Sequence, residues 1–208
     1  RILLRIGDST KGGPQAYVPP TAQRCTYQVL VDANGTGKFM PLPERLEVDV
    51  VPGPTQKLSI VAPSIVEIDE EFRFLVRFED ANCNPGPKYE GEVSLECPAG
   101  NLPARLRFEA DDGGRKEVRA SIPAAGVYRI KARAGRMEGI SNPVLCVEKK
   151  SIGIYWGDMH CHTNWADGTR SIEENYVFGR DIAFLDVCGV AEHINNNPER
   201  SVPVQDSP

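Results

Sequence analysis

Histidine is scarce in this chain, with three in 208 residues, and there are only two tryptophans. The six cysteines include no CxxC pair and no zinc-ribbon spacing, which excludes the common structural zinc modules. Positive charge is not in excess: the net charge is −5, and the basic residues between Arg105 and Arg136 are interleaved with acids. That argues against a nucleic-acid surface. No apolar run approaches the ~18 residues of a membrane helix, so no membrane partner is expected. Internal repeats and low-complexity tracts are missing too. The sequence opens on Arg1 with no charged-then-apolar leader, so a start lying further upstream is expected and the compartment stays open.

What is present reads first as β structure. Residues 25–31 and 46–51 alternate in the β manner around Asn34-Gly35-Thr36-Gly37, which is turn chemistry. Residues 1–54 are therefore expected to be a β-rich remnant, ending at Pro52-Gly53-Pro54 as a linker. Seven strand-like segments follow between residues 55 and 149, at 57–62, 72–79, 92–96, 105–110, 115–122, 126–134 and 144–148. Turn residues separate them, which predicts an immunoglobulin-like β-sandwich. Phe72, Phe74, Val76 and Phe78 alternate with Arg73, Leu75, Arg77 and Glu79, giving one core face and one mostly wet face. Asp111-Asp112-Gly113-Gly114 lacks the alternating ligands of a calcium loop and reads as a tight hairpin turn. A chain this long can build a core without staples, so mostly buried free thiols are expected, with a Cys83–Cys97 bridge as the alternative.

The last segment, residues 150–208, changes character. Residues 152–162 form a strand, Ser171-Ile172-Glu173-Glu174 is a capping box opening a helix to about Asp181, and 184–190 is an apolar run suited to a buried parallel strand. Ile172, Tyr176, Val177 and Ile182 are expected on the helix's buried side. Strand, helix, strand is one βαβ unit. Two of the three histidines, His160 and His162, fall one residue apart on the first strand, and His193 ends the second. Regular alternation would aim Asp158, His160 and His162 to one side and Cys161 to the other. Two imidazoles and a carboxylate facing one space make half a metal site, and Asp167 in the next loop can reach back over it.

Gly157-Asp158-Met159-His160-Cys161-His162-Thr163, then Ala166-Asp167-Gly168, then Ala191-Glu192-His193, resembles the opening of a PHP domain. That is the polymerase-and-histidinol-phosphatase superfamily of metal-dependent phosphoesterases. Its usual opening reads roughly G-D-x-H-x-H-T-x-x-S-D-G, with T-D-H as the second motif. The resemblance covers about the last quarter of the chain. It implies the first βαβ unit of a PHP-type α/β barrel, with His160 and His162 as ligands of one metal and Asp167 and His193 helping to ligate another. Such sites hold two or three divalent ions, commonly Zn, Mn or Fe. Asp158 and Glu192 would stand behind the ligands and orient them. Glu192 replaces the family's usual Asp, and Trp165-Ala166 replaces small polar residues. Further family ligands fall downstream of residue 208, so a fragment is expected, inactive on its own.

The expected function is hydrolysis of a small-molecule phosphoester by metal-activated water. The alternative, from another class, is a β-sandwich binding module joined to a degenerate, non-catalytic PHP-like portion. Metal content separates the two. Substrate, metal identity and oligomeric state are not legible here.

Overall fold

The computed structural model describes residues 7–44, 46–86 and 88–193, and two compact units divide between Val51 and Pro52. The polar tail from Asn195 to Pro208 lies outside the described residues.

The first unit is thin. β1 (Gln23–Tyr27) pairs antiparallel with a later strand, β4 (Leu46–Val50), while the two-residue strands β2 (Leu30–Val31) and β3 (Met40–Pro41) pair with each other. Arg24 forks onto Asp49 at 2.7 and 3.1 Å, a cross-strand pair on an exposed surface. Asp32 accepts the amides of Asn34, Thr36 and Gly37, closing the Asn34–Gly37 turn.

The second unit holds an immunoglobulin-like sandwich. Its strands are β5 (Lys57–Val61), β6 (Ile65–Glu67), β7 (Phe72–Glu79), β8 (Gly91–Glu96), β9 (Arg105–Phe108), β10 (Arg115–Ala120), β11 (Gly126–Tyr128), β12 (Lys131–Ala134), β13 (Met137–Ile140) and β14 (Val144–Val147). One layer has the antiparallel order β10-β7-β5. The other comes in two pieces, β11-β14-β6 and β13-β12-β8-β9, joined because β11 runs on into β12 and β13 into β14. The core between the layers is Phe74, Val76, Phe78, Val93, Phe108, Ile122, Ile130 and Val144, all at most 1% exposed. Phe78 stacks on Tyr89 with centroids 3.9 Å apart and meets Phe108 edge-on at 5.1 Å.

Two irregularities shape the sandwich. The chain changes layers at Ala62-Pro63-Ser64, so that β5 lies in one sheet while β6 pairs in parallel with β14 in the other. Across the interrupted β11/β12–β13/β14 hairpin the register slips by one residue between the pairs Lys131–Ile140 and Tyr128–Val144. The surplus residue is Asn142. Its side chain accepts from the Ala62 amide at 3.0 Å and donates to the Ala62 carbonyl at 2.8 Å. An amide thus stands in for a neighbouring strand where the layer change would leave backbone groups unpaired.

Several expectations need correction. The 105–110 and 115–122 segments are not a hairpin: β9 pairs with β8 and β10 with β7, so Asp111–Gly114 carries the chain between layers. Gly113 and Gly114 both take positive φ there, which their missing side chains permit. Leu75, expected on the wet face, is buried; together with Phe184 and Leu185 it lines the cleft between the sandwich and the last segment. The six thiols are free, only Cys146 is buried, and exposed Cys83 sits 3.0 Å from Lys57 Nζ and not against Cys97.

The last segment is a βαβ unit with parallel strands. β15 (Gly157–Cys161) pairs with β16 (Val187–Val190), and α1 (Ile172–Val177) lies between them in sequence. The capping box forms: Ser171 Oγ accepts from the Glu174 amide at 3.1 Å, and Glu174 accepts from the Ser171 amide at 2.8 Å. After Val177 the helix widens into a π-helical turn, Phe178–Ala183, closed by Phe184 at φ 58°. Tyr176 and Val177 are exposed, contrary to the 3.6-residue reading, while Asn175 and Phe178 are half-buried and Gly179 is buried. Residues 152–156 do not join β15, and Ile152, Ile154 and Tyr155 stay exposed, because no described strand pairs with them. The unit is tied to the sandwich by Trp156 Nε1 donating to Ser64 Oγ at 2.7 Å, Lys150 bonding Glu67 and Glu70, and Arg77 donating to the Ile182 carbonyl. Among the described residues no helix is long and apolar enough to cross a membrane.

Candidate metal centre

The ligand-bearing residues sit where β15 and β16 end and the following loops begin. Regular alternation through Asp158, His160 and His162 does not hold. Asp158 is opposite Cys188 and Cys161 opposite Val190, so two residues on β15 face one, Gly189, on β16. This bulge breaks the alternation after Asp158. The Asp158 carboxylate turns onto its own strand and accepts from the His160 amide at 3.0 Å, steadying backbone and not an imidazole. Beyond the bulge the two rings come together, with the His160 and His162 centroids 5.0 Å apart.

Thr163 and Ala166 are buried and anchor the loop that follows. The Ala166 and Gly168 amides both donate to the Thr163 carbonyl, at 3.1 and 2.9 Å. This curls the chain back so that Gly168 lies on His162: a Cβ on Gly168 would stand 2.3 Å from the His162 carbonyl oxygen. The small Ala166 suits a position enclosed by its own loop. Asp167, between these two, reaches His162, its Oδ1 being 2.7 Å from Nδ1. Its other oxygen lies 3.9 Å from His193 Nε2, and the His162 and His193 rings meet edge-on at 4.3 Å. One ligand atom each from His162, Asp167 and His193 all fall within 4.8 Å of one another. His160 is exposed beside this group.

Two contacts hold the strand ends in place. Glu192 Oε1 accepts from the Thr163 amide at 2.8 Å, joining the end of β16 to the end of β15. Glu192 thus acts on backbone one residue past His162, a reach that its extra methylene supplies. Asn175, on the inner side of α1, donates to the His162 carbonyl at 2.9 Å. The sequence reading missed Asn175. Its signal is a polar residue three positions after Ile172, on the stripe that continues into Phe178 and Gly179.

The electrostatics suit a cation. The hydrogen bond from His162, with a lesser contribution from the nearby His193, holds the Asp167 carboxyl below the usual carboxylate range. His162 Nε2 and Glu192 Oε2 are buried without a hydrogen-bond partner. With Nδ1 engaged by a carboxylate, an imidazole presents its Nε2 lone pair, the arrangement usual in histidine metal ligands. Two imidazoles and one carboxylate form a donor set matched to Zn, Mn or Fe, so the residues present fit such an ion.

No family model matches this sequence. Two relatives, each described only as an uncharacterized protein, come from Chlamydia muridarum and Chlamydia trachomatis serovar D. Each is 28% identical over 181 residues, a match that takes in 84% of this chain and 28% of the relative. The chain therefore spans 28% of the length of these relatives. Among solved structures, the D00-D0 domain of intimin is 15% identical, with 69% of this chain and 76% of that one covered and a TM-score of 0.40. Domains 4 and 5 of the S-layer protein SbsC are 17% identical, covering 66% and 87% at a TM-score of 0.36.

Proposed function

We propose that residues 150–193 are the opening βαβ unit of a PHP-type barrel, and that the protein it belongs to is a metal-dependent hydrolase acting on a small-molecule phosphoester. The observation that carries this reading is the convergence of His162, Asp167 and His193 at the ends of two parallel strands, with a buried imidazole nitrogen left unpartnered. Strand ends of parallel α/β units are where such folds gather their reacting groups. The motif resemblance supplies the reaction class, since fold alone does not.

Within that reading His160 and His162 hold one ion, and Asp167 and His193 contribute to a second. When bound, the ions acidify water and neutralise phosphoryl oxygens. The chain's own residues set the stage. Asp167 fixes the ring of His162, Asn175 and Glu192 fix the backbone on either side of it, and Asp158 holds the bulge that brings His160 alongside. Remaining ligands would come from outside residues 1–208, so hydrolysis is assigned to the longer protein and metal capture to this segment.

The test is metal uptake by the purified, chelator-stripped chain, followed with a chromophoric zinc competitor. At least one ion per chain is expected, with affinity reduced about tenfold or more in the His160→Ala/His162→Ala double variant. Unchanged affinity in that variant would remove the ligand assignment. A chain that takes up no metal at all would leave the sandwich, whose core is complete, as the working part. The longer protein, metal-loaded, should then be assayed against a panel of phosphomonoesters and phosphodiesters.

A further inference from the structure

Behind the histidines lies a pair of thiols that the metal reading does not use. Cys161 Sγ and Cys188 Sγ are 3.9 Å apart, in direct contact across β15 and β16. The two are half-buried. Cys188 is diagonal to Cys161 in the register, and the bulge at Met159 and His160 brings the diagonal sulfurs together. On the other side of Cys188 is Gly179 of the π-helical turn. A Cβ on Gly179 would lie 3.0 Å from Cys188 Sγ, so the absent side chain makes room for the sulfur. The remaining four cysteines are elsewhere in the fold: Cys25 on β1, Cys83 beside Lys57, Cys97 beside Gly100, and Cys146 in the core.

From this placement we infer that Cys161 and Cys188 are a dithiol–disulfide site, oxidised reversibly by small-molecule disulfides to a bond that clamps β15 to β16. The inference stands apart from the metal reading. A disulfide needs sulfurs about 2.05 Å apart and Cβ atoms about 3.8 Å apart. Closing the bond therefore requires the two sulfurs to approach from 3.9 Å to that distance.

The chemistry is thiol–disulfide exchange. One thiolate of the pair attacks a sulfur of the small disulfide, forming a mixed disulfide and expelling one small thiolate. The second cysteine, as thiolate, attacks the protein sulfur of that mixed disulfide and expels the other small thiolate. Two protein thiols are oxidised, one small disulfide is reduced to two thiols, and the two protons released by the cysteines end on the small thiolates. The product closes a loop that holds α1 and the turn carrying Asp167, while Glu192 and His193 follow outside it.

The experiment uses the full 208-residue chain, reduced and then incubated with oxidised glutathione, with and without urea. Free thiols are capped with N-ethylmaleimide and the chain is digested with trypsin. Arg170 and Arg180 place the two cysteines on separate peptides. In native buffer the Cys161–Cys188 cross-linked peptide should dominate and be released by dithiothreitol, whereas in urea the six cysteines should pair indiscriminately. Cys188→Ser should leave Cys161 as a glutathione adduct or free. Amides of β15 and β16 should exchange on the order of 100-fold more slowly in the oxidised chain. The inference is overturned if both residues carry maleimide or separate glutathione after native oxidation, or if the native pairing matches that in urea. Exchange in the two strands unaffected by cross-linking would equally overturn the clamp.

Discussion

Replacing Gly168 by Ala should separate the loop from the strand that carries His162. The added Cβ would meet the His162 carbonyl oxygen at 2.3 Å, its carbon at 2.5 Å and the Thr163 nitrogen at 2.8 Å, all backbone atoms that cannot rotate aside. Ordinary contact for such a carbon begins at 3.4 Å, so the loop must retreat by about 1 Å or distort by an equivalent amount. Asp167 is the adjacent residue. A 1 Å retreat would stretch its 2.7 Å contact with His162 Nδ1 to about 3.7 Å, no longer a hydrogen bond. The bond from the Gly168 amide to the Thr163 carbonyl would go as well. Overpacking of this kind costs about 1–3 kcal/mol, here confined to the loop. Zinc affinity should fall about 10- to 100-fold, the range found when a group orienting a ligand is lost. Competition titration measures that fall directly, and Trp165 in the same loop offers a fluorescence signal for the altered geometry. The denaturant midpoint of the sandwich should not move. A Gly168→Ala chain that binds zinc as tightly as the parent would refute the argument that this close approach holds Asp167 on His162.

Three further outcomes follow from the sandwich. Phe78→Ala removes a ring seated between Tyr89 and Phe108 and should cost about 3–5 kcal/mol in urea unfolding; a loss under about 1 kcal/mol would mean the core collapses around the gap. Asn142→Ala strips the Ala62 amide and carbonyl of their shared partner, for about 2–3 kcal/mol, and Asn142→Asp should restore only the bond donated by the Ala62 amide. Asp80, held by the Asn84 side chain and by the Gly53, Asn84 and Asn82 amides, has its carboxyl lowered from 3.8 to about 2. A carboxyl depressed by folding stabilises the native state above its unfolded value and loses that contribution as the pH falls towards 2. Asp80→Asn should therefore be less stable than the parent at pH 7, with the gap narrowing between pH 4 and pH 2. A gap independent of pH would show that the Asp80 charge is not what the loop relies on.

The β-sandwich was legible because its strands are written in a period of two. Phe72, Phe74, Val76 and Phe78 entered the core as their spacing predicts, and the Ser171/Glu174 box started the helix where the sequence placed it. What escaped was every irregularity of one residue. The insertion at Asn142, the bulge between Asp158 and Cys161 and the π-helical turn after Val177 each shift a register without leaving a composition signal. A periodic reading assumes that no such residue exists, so it put Asp158 on the ligand face. Leu75 escaped for a different reason. It lines a cleft shared with Val61, Glu117, Phe184 and Leu185, residues remote in sequence, which a local pattern does not contain. At the His162–Asp167–His193 cluster the residue types and their order stand in the sequence, whereas Glu192 gripping Thr163 and Asn175 gripping the His162 carbonyl are decided by how strand ends meet.

The parallel pairing of β6 with β14 has a mechanical consequence. These strands lie near the entry and exit of the sandwich, and beyond their ladder the Leu145 amide bonds the Ser64 carbonyl and the Ile68 amide bonds the Val147 carbonyl. A pull applied through the two ends of the sandwich draws these parallel strands past each other along their length. The bonds between them then carry the load together, as a lap joint does, instead of parting one by one like a zip. The layer change at Ala62-Pro63-Ser64, by routing the chain from β5 to β6, is what sets that joint across the line of force.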